Sequence, residues 1–80
     1  MPRYYFHLRD GRESLDDEGT ELVDLPAARS EALKYSGELL RDGGGNGVWN
    51  GEPWQLWVTD QPSGKGNTLF RLNFSAAEVA

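Results

Sequence analysis

Arg3-Tyr4-Tyr5-Phe6-His7-Leu8-Arg9 alternates along its whole length. Tyr4, Phe6 and Leu8 fall on one side of an extended chain, and Tyr5, His7 and Arg9 on the other, which predicts a half-buried strand. Two later stretches share that period. Residues 54–60 set Trp54, Leu56 and Val58 against Gln55, Trp57 and Thr59, and Thr68–Phe74 sets Phe70, Leu72 and Phe74 against Leu69, Arg71 and Asn73. Between them Gln61-Pro62-Ser63-Gly64-Lys65-Gly66-Asn67 carries the residues of a hairpin loop. After the first strand, Asp10-Gly11 signals a turn. Residues 12–15 suit a short returning strand, Asp16-Asp17-Glu18-Gly19 a second turn, and 20–23 an extended segment.

The remaining periodicity is helical. Asp24 is placed as an N-cap, with Pro26 in the first turn where its missing N–H leaves no bond unmade. The helix is expected from residue 25 to about 41. Leu25, Ala28, Ala32, Tyr35, Ser36 and Leu39 form its inward stripe, and Leu33 and Leu40 widen it. Lys34 and Glu38 form an i,i+4 pair on the wet side. Gly37 weakens the helix by about 1 kcal/mol relative to alanine and is read as a place where a strand approaches closely. Gly43-Gly44-Gly45-Asn46-Gly47 ends the helix, and the tail from about 75 is expected to fray. The fold class is α+β: a small, mostly antiparallel sheet of three to four strands in the order β-(β)-α-β-β, with one helix packed on one face. The chain is one domain, 1–80.

Eighty residues without cysteine bury only roughly 60–65% of their unfolded surface, with neither disulfide nor thiolate metal site to help. Association with another chain is the remaining usual support. Nine aromatics keep the composition globular. The net charge of −5 disfavours a general nucleic-acid binder. No apolar run is long enough to span a bilayer, and Met1-Pro2-Arg3 leads straight into the strand pattern, so the expected compartment is the cytoplasm.

Charge is unevenly placed. Seven of the thirteen acids lie in residues 10–24 (Asp10, Glu13, Asp16, Asp17, Glu18, Glu21, Asp24), opposed there by Arg12 alone. The outward strand positions instead collect Tyr5, His7, Arg9, Trp57 and Arg71, and these five are the candidate interaction surface. Aromatics with arginines on an uncovered sheet face suit a protein interface, where Tyr, Trp and Arg are enriched. They also suit base stacking and phosphate contact. A partly exposed sheet with ordinary cross-strand pairs is the plain alternative. Around 16–21 the oxygen ligands and turn glycine of a calcium loop are present, but the EF-hand spacing is not. Negative charge ahead of a helix N-terminus accounts for them. His7 is the only histidine and lacks partners for a zinc site. None of Ser14, Ser30, Ser36, Ser63 or Ser75 stands in a nucleophile context. Neither glycine cluster opens a helix with the Lys-Ser/Thr pair of a phosphate loop. Trp54 is assigned to the core, and Trp49 is left open between core and surface.

Met-Pro-Arg-Tyr-Tyr-Phe-His-Leu-Arg-Asp-Gly at the start resembles a family of small uncharacterised bacterial domains, abundant in rhizobia and related alphaproteobacteria. The resemblance continues through Asp16-Asp17-Glu18-Gly19-Thr20-Glu21-Leu22, Asp24-Leu25, Ala27-Ala28-Arg29 and Glu31-Ala32, and resumes at Trp54, Val58-Thr59-Asp60 and Leu69-Phe70-Arg71-Leu72. That family is a domain of unknown function, so the resemblance implies no activity and no catalytic residues. At fold level, Asp24-Leu25 followed by Ala27-Ala28-Arg29-Ser30-Glu31-Ala32 is similar to HicB-type antitoxins, with a shorter strand-to-helix spacing here.

The function read from these features is a small non-enzymatic protein-interaction module, self-associating through the open sheet face or an edge strand, with no cofactor, no metal and no catalytic residue. The alternative is a small nucleic-acid-binding or antitoxin-like regulator. A carboxylate-dependent enzyme or metal binder using the acidic loop is the third reading.

Overall fold

The computed structural model describes every residue except Gly45, Asn50, Glu78 and Ala80. Five strands form one antiparallel sheet: β1 (Arg3–Arg9), β2 (Glu13–Ser14), β3 (Thr20–Glu21), β4 (Trp54–Thr59) and β5 (Thr68–Phe74). The order is β2-β1-β4-β5, and β3 pairs with the other end of β1 on the same edge as β2. The expected three to four strands thus become five, because the acidic segment returns to β1 twice. Helix α1 (Leu25–Leu39) covers one face.

Strand register follows the alternation. Phe6 opposes Val58 and Leu8 opposes Leu56 across β1 and β4, while Leu56 opposes Leu72 and Trp54 opposes Phe74 across β4 and β5. Those residues share the face under α1, with Tyr4, Trp54, Leu56 and Val58 buried at its centre. The helix begins where its cap predicts: Asp24 Oδ1 accepts from the Ala27 N–H at 2.9 Å. Its buried positions are small ones, Ala28, Ala32 and Ser36. Small side chains every fourth residue put a row without bulk on the helix face that meets the large side chains of the sheet.

The buried row is narrower than the expected stripe, and three expectations are corrected. Leu33, about 100° around the helix from Ala32, is 60% exposed and does not widen the stripe. Tyr35 lies at the helix edge instead of in the core. A side chain at Gly37 would meet nothing within 4 Å among the described residues, so none of the strands approaches there. The α-helix also ends at Leu39, continuing as a π-helical turn over Leu40–Gly44 and a short helical turn over Asn46–Trp49. Trp54 is core, and Trp49 is 62% exposed. The expected glycine stop at 43–47 falls partly on Gly45, and the frayed tail partly on Glu78 and Ala80, outside the described residues. Ala76 packs against the core edge. No helix among the described residues is long and apolar enough to cross a membrane.

Candidate interaction surface

The second sheet face carries the residues the alternation assigned to it, in cross-strand rows. Tyr5 opposes Thr59; His7, Trp57 and Arg71 form the next row; Arg9, Gln55 and Asn73 the third. Arg9, Trp57 and Arg71 lie together at the half of the face nearer β2, and Tyr5 belongs to the other half.

His7 shares this face but not its surface. It is 0% exposed, as is Thr59 beside it. The hairpin loop folds back as a 3₁₀ turn, Pro62–Gly64, that rests on β1 and β4. Its Ser63 N–H donates to the Asp16 carbonyl at 2.8 Å, tying the turn to the acidic loop. His7 and Thr59 lie beneath this cap. The sequence gives no periodic signal for such a return, since a loop's tertiary contacts follow from neither hydrophobic spacing nor turn propensity.

The buried polar groups under the cap are satisfied. Thr59 Oγ1–H donates to the Gln61 carbonyl at 2.7 Å, so its oxygen accepts from His7 Nε2–H, also at 2.7 Å. His7 Nδ1 accepts from the Asp16 N–H at 3.0 Å. This pattern assigns the neutral Nε2–H tautomer, because a proton on Nδ1 would face a donor. Burial pushes the His7 pKa below its ordinary value, against the smaller opposing pull of Asp16 and Glu13.

Asp16 organises the loop. Between β2 and β3, on the edge away from β4, the middle of β1 has no strand partner among the described residues, and the Asp16 carboxylate stands in for one. Oδ2 accepts from the Phe6 N–H at 3.1 Å, while Oδ1 accepts from the N–H groups of Glu18 and Gly19 at 3.0 and 3.1 Å. Burial alone would raise its pKa, but these N–H donors outweigh that and the carboxyl is held below its ordinary value. Oδ1 thus accepts two hydrogen bonds and Oδ2 one. Gly19, at φ +73°, passes so close to the sheet that a Cβ would lie 2.7 Å from the Tyr5 ring and 2.8 Å from Arg3 Cγ. A cleft of about 380 Å³ opens between this loop and α1, walled by Phe6, Tyr35, Asp17, Glu18 and Glu31.

The uncapped half centres on Trp57. Its ring is 5.2 Å from the His7 ring, tilted by 43°, and the Arg9 guanidinium carbon sits 5.4 Å from its centroid. Gln55 Nε2 donates to Asn73 Oδ1 at 2.9 Å. Two arginines of the sheet are neutralised by their neighbours: Arg9 pairs with Glu13, and Arg3 with Glu21 at 3.1 Å. No described residue forms an ion pair with Arg71.

A family model, domain of unknown function (DUF6894), matches residues 3–75. The chain belongs to that family. The match runs from the first residue of β1 to the residue after β5, so the family's shared unit contains the whole sheet, α1, the acidic loop and the hairpin cap. No curated protein and no solved structure matches the chain.

Proposed function

We propose that this domain is a non-enzymatic protein-interaction module that works by associating with another chain, first of all a second copy of itself. The observation that carries this reading is the sheet margin running from Trp57 to β5. On the capped half of the face a loop shields the polar groups. On the other half Trp57, Arg71, Gln55 and Asn73 lead out to a seven-residue strand whose outer edge pairs with no described residue.

The polar groups best suited to chemistry point away from an enzyme. Both His7 nitrogens are engaged in bonds that hold the fold and His7 is sealed from solvent, while the Asp16 carboxylate is held in place by three backbone N–H groups. A general base needs an accessible lone pair. Nucleic-acid binding is the weaker alternative, since two of the three sheet arginines already answer carboxylates. Sedimentation equilibrium from micromolar to near-millimolar concentration is the test. A mass rising above the 8.9 kDa of one chain supports self-association. One-chain mass throughout, with submicromolar binding to single-stranded RNA lost on Trp57→Ala, would replace this reading by the nucleic-acid one.

A further inference from the structure

Resting on that reading, we infer that the second copy adds to the outer edge of β5, antiparallel, about a two-fold axis through Leu72. Three features of β5 select this geometry. Its outer edge is unpaired among the described residues, and the strand has no proline, lysine or inward charge of the kind that protects edges. Phe70, Leu72 and Phe74 on the helix-side face are only half-buried, so the apolar layer under α1 runs out to the edge unfinished. The cap occupies part of the opposite face, which leaves a face-to-face dimer with only the uncapped half to use.

Register follows from parity and charge. An axis between two residues would set helix-side positions against outer-face positions and break the layer. An axis at Arg71 would place two guanidinium groups directly opposite each other. One at Phe70 would run through Leu69, the extra residue where pairing with β4 shifts from Val58–Phe70 to Thr59–Thr68. One at Asn73 would leave little of the regular strand paired. The axis at Leu72 uses the regular run 70–74 entirely. It sets Leu72 against its own copy, Phe70 against Phe74 twice, and Arg71 against Asn73 twice. Asn73 Oδ1, already accepting from Gln55, has a second lone pair for the incoming guanidinium. The product is one continuous sheet across both copies, with α1 of each covering the same face.

The test uses one exposed position with opposite signs. Asn73→Asp puts a carboxylate opposite Arg71 at both symmetric sites and should tighten the dimer by about two- to thirtyfold at low salt, while Asn73→Lys should loosen it comparably. Thermal unfolding of each variant checks that the fold persists. Because the chain has no cysteine, Arg71→Cys and Asn73→Cys variants report register directly. A mixture of the two should form the mixed disulfide under mild oxidation, and neither alone should cross-link at a similar rate. Should dimers form while Asn73→Asp and Asn73→Lys leave the dissociation constant unchanged and cross-linking is unselective, the β5 register is wrong and the interaction reading stands. A wild-type chain that stays a monomer at every concentration overturns both.

Discussion

Asp16→Ala is the substitution that tests most of the structure at once. It removes the acceptor of three backbone N–H groups. The Glu18 and Gly19 donors lie in a surface turn where water replaces the carboxylate, at about 0.5–1 kcal/mol each. The Phe6 N–H is part-buried on the edge of β1 that β2 and β3 leave open and loses its acceptor, at about 1–3 kcal/mol. The sum centres on about 3.5 kcal/mol, against a total of roughly 4–12 kcal/mol for a domain of this size. Thermal unfolding followed by circular dichroism at pH 7 should show a drop of about 14–28 °C. Asp17→Ala, one residue on and with no hydrogen bond from its side chain among the described residues, should stay within about 0.5 kcal/mol of wild type. The gap between wild type and Asp16→Ala should also close in acid. The folded-state pKa of Asp16 is depressed, so its contribution is complete above the ordinary carboxylate value of about 3.8 and is lost as the pH falls through the lower folded value. Equal losses for the two variants, or a gap that does not narrow at all as the pH falls below 3.8, would refute the role given to Asp16.

Four further outcomes are expected. Wild-type stability should decline as the pH falls below about 6.5, because the unfolded chain protonates His7 there and the folded chain does not; His7→Gln, though less stable, should lack that part of the pH profile. Gly19→Ala should cost about 1–3 kcal/mol in urea unfolding, through its positive φ and the contact with Tyr5 and Arg3. Gly37→Ala and Ser36→Ala should each stabilise by about 0.5–1 kcal/mol, the first because an open helix interior gains a helix former, the second because the buried Ser36 hydroxyl has no partner among the described residues; a fall in melting temperature would show tighter packing at α1. Asp24→Ala should remove about 1 kcal/mol by uncapping the Ala27 N–H, measured by thermal unfolding.

The parts legible in the sequence are those fixed by local period. Alternation in β1, β4 and the run 70–74 of β5 placed each side chain on its observed face, because the side-chain period of a regular strand is two whatever it pairs with, and it breaks only at Leu69, where the pairing shifts. Asp24 was legible as a cap for the same reason: the capping bond closes over three residues. Long-range returns were hidden. Leu33 reads as core because apolar identity is not depth; it lies about 100° around the helix from Ala32 in the buried row. His7 read as surface because its row is the outer row, and nothing local says that residues 62–64 come back to cover it. Of the five candidate surface residues, the structure sets Arg9, Trp57 and Arg71 together, seals His7, and packs Tyr5 against Gly19.

The charge asymmetry that dominates the sequence resolves differently from its first reading. Glu13 and Glu21 pair with Arg9 and Arg3 across the edge of β1. Asp16 replaces a missing strand partner, and Asp24 starts the helix. Four of the seven acids in residues 10–24 therefore hold together the segment in which they lie, as does much of the basic charge of the sheet. Exposed ion pairs contribute little each, so Asp16, with its backbone donors, outweighs the rest. A segment that crosses the sheet edge twice in short pieces has few ladder bonds, and carboxylates that accept from N–H groups and arginines supply what the ladder cannot. What remains for recognition is the charge that no neighbour answers. Among the described outer-face arginines that is Arg71, on the strand whose edge is open.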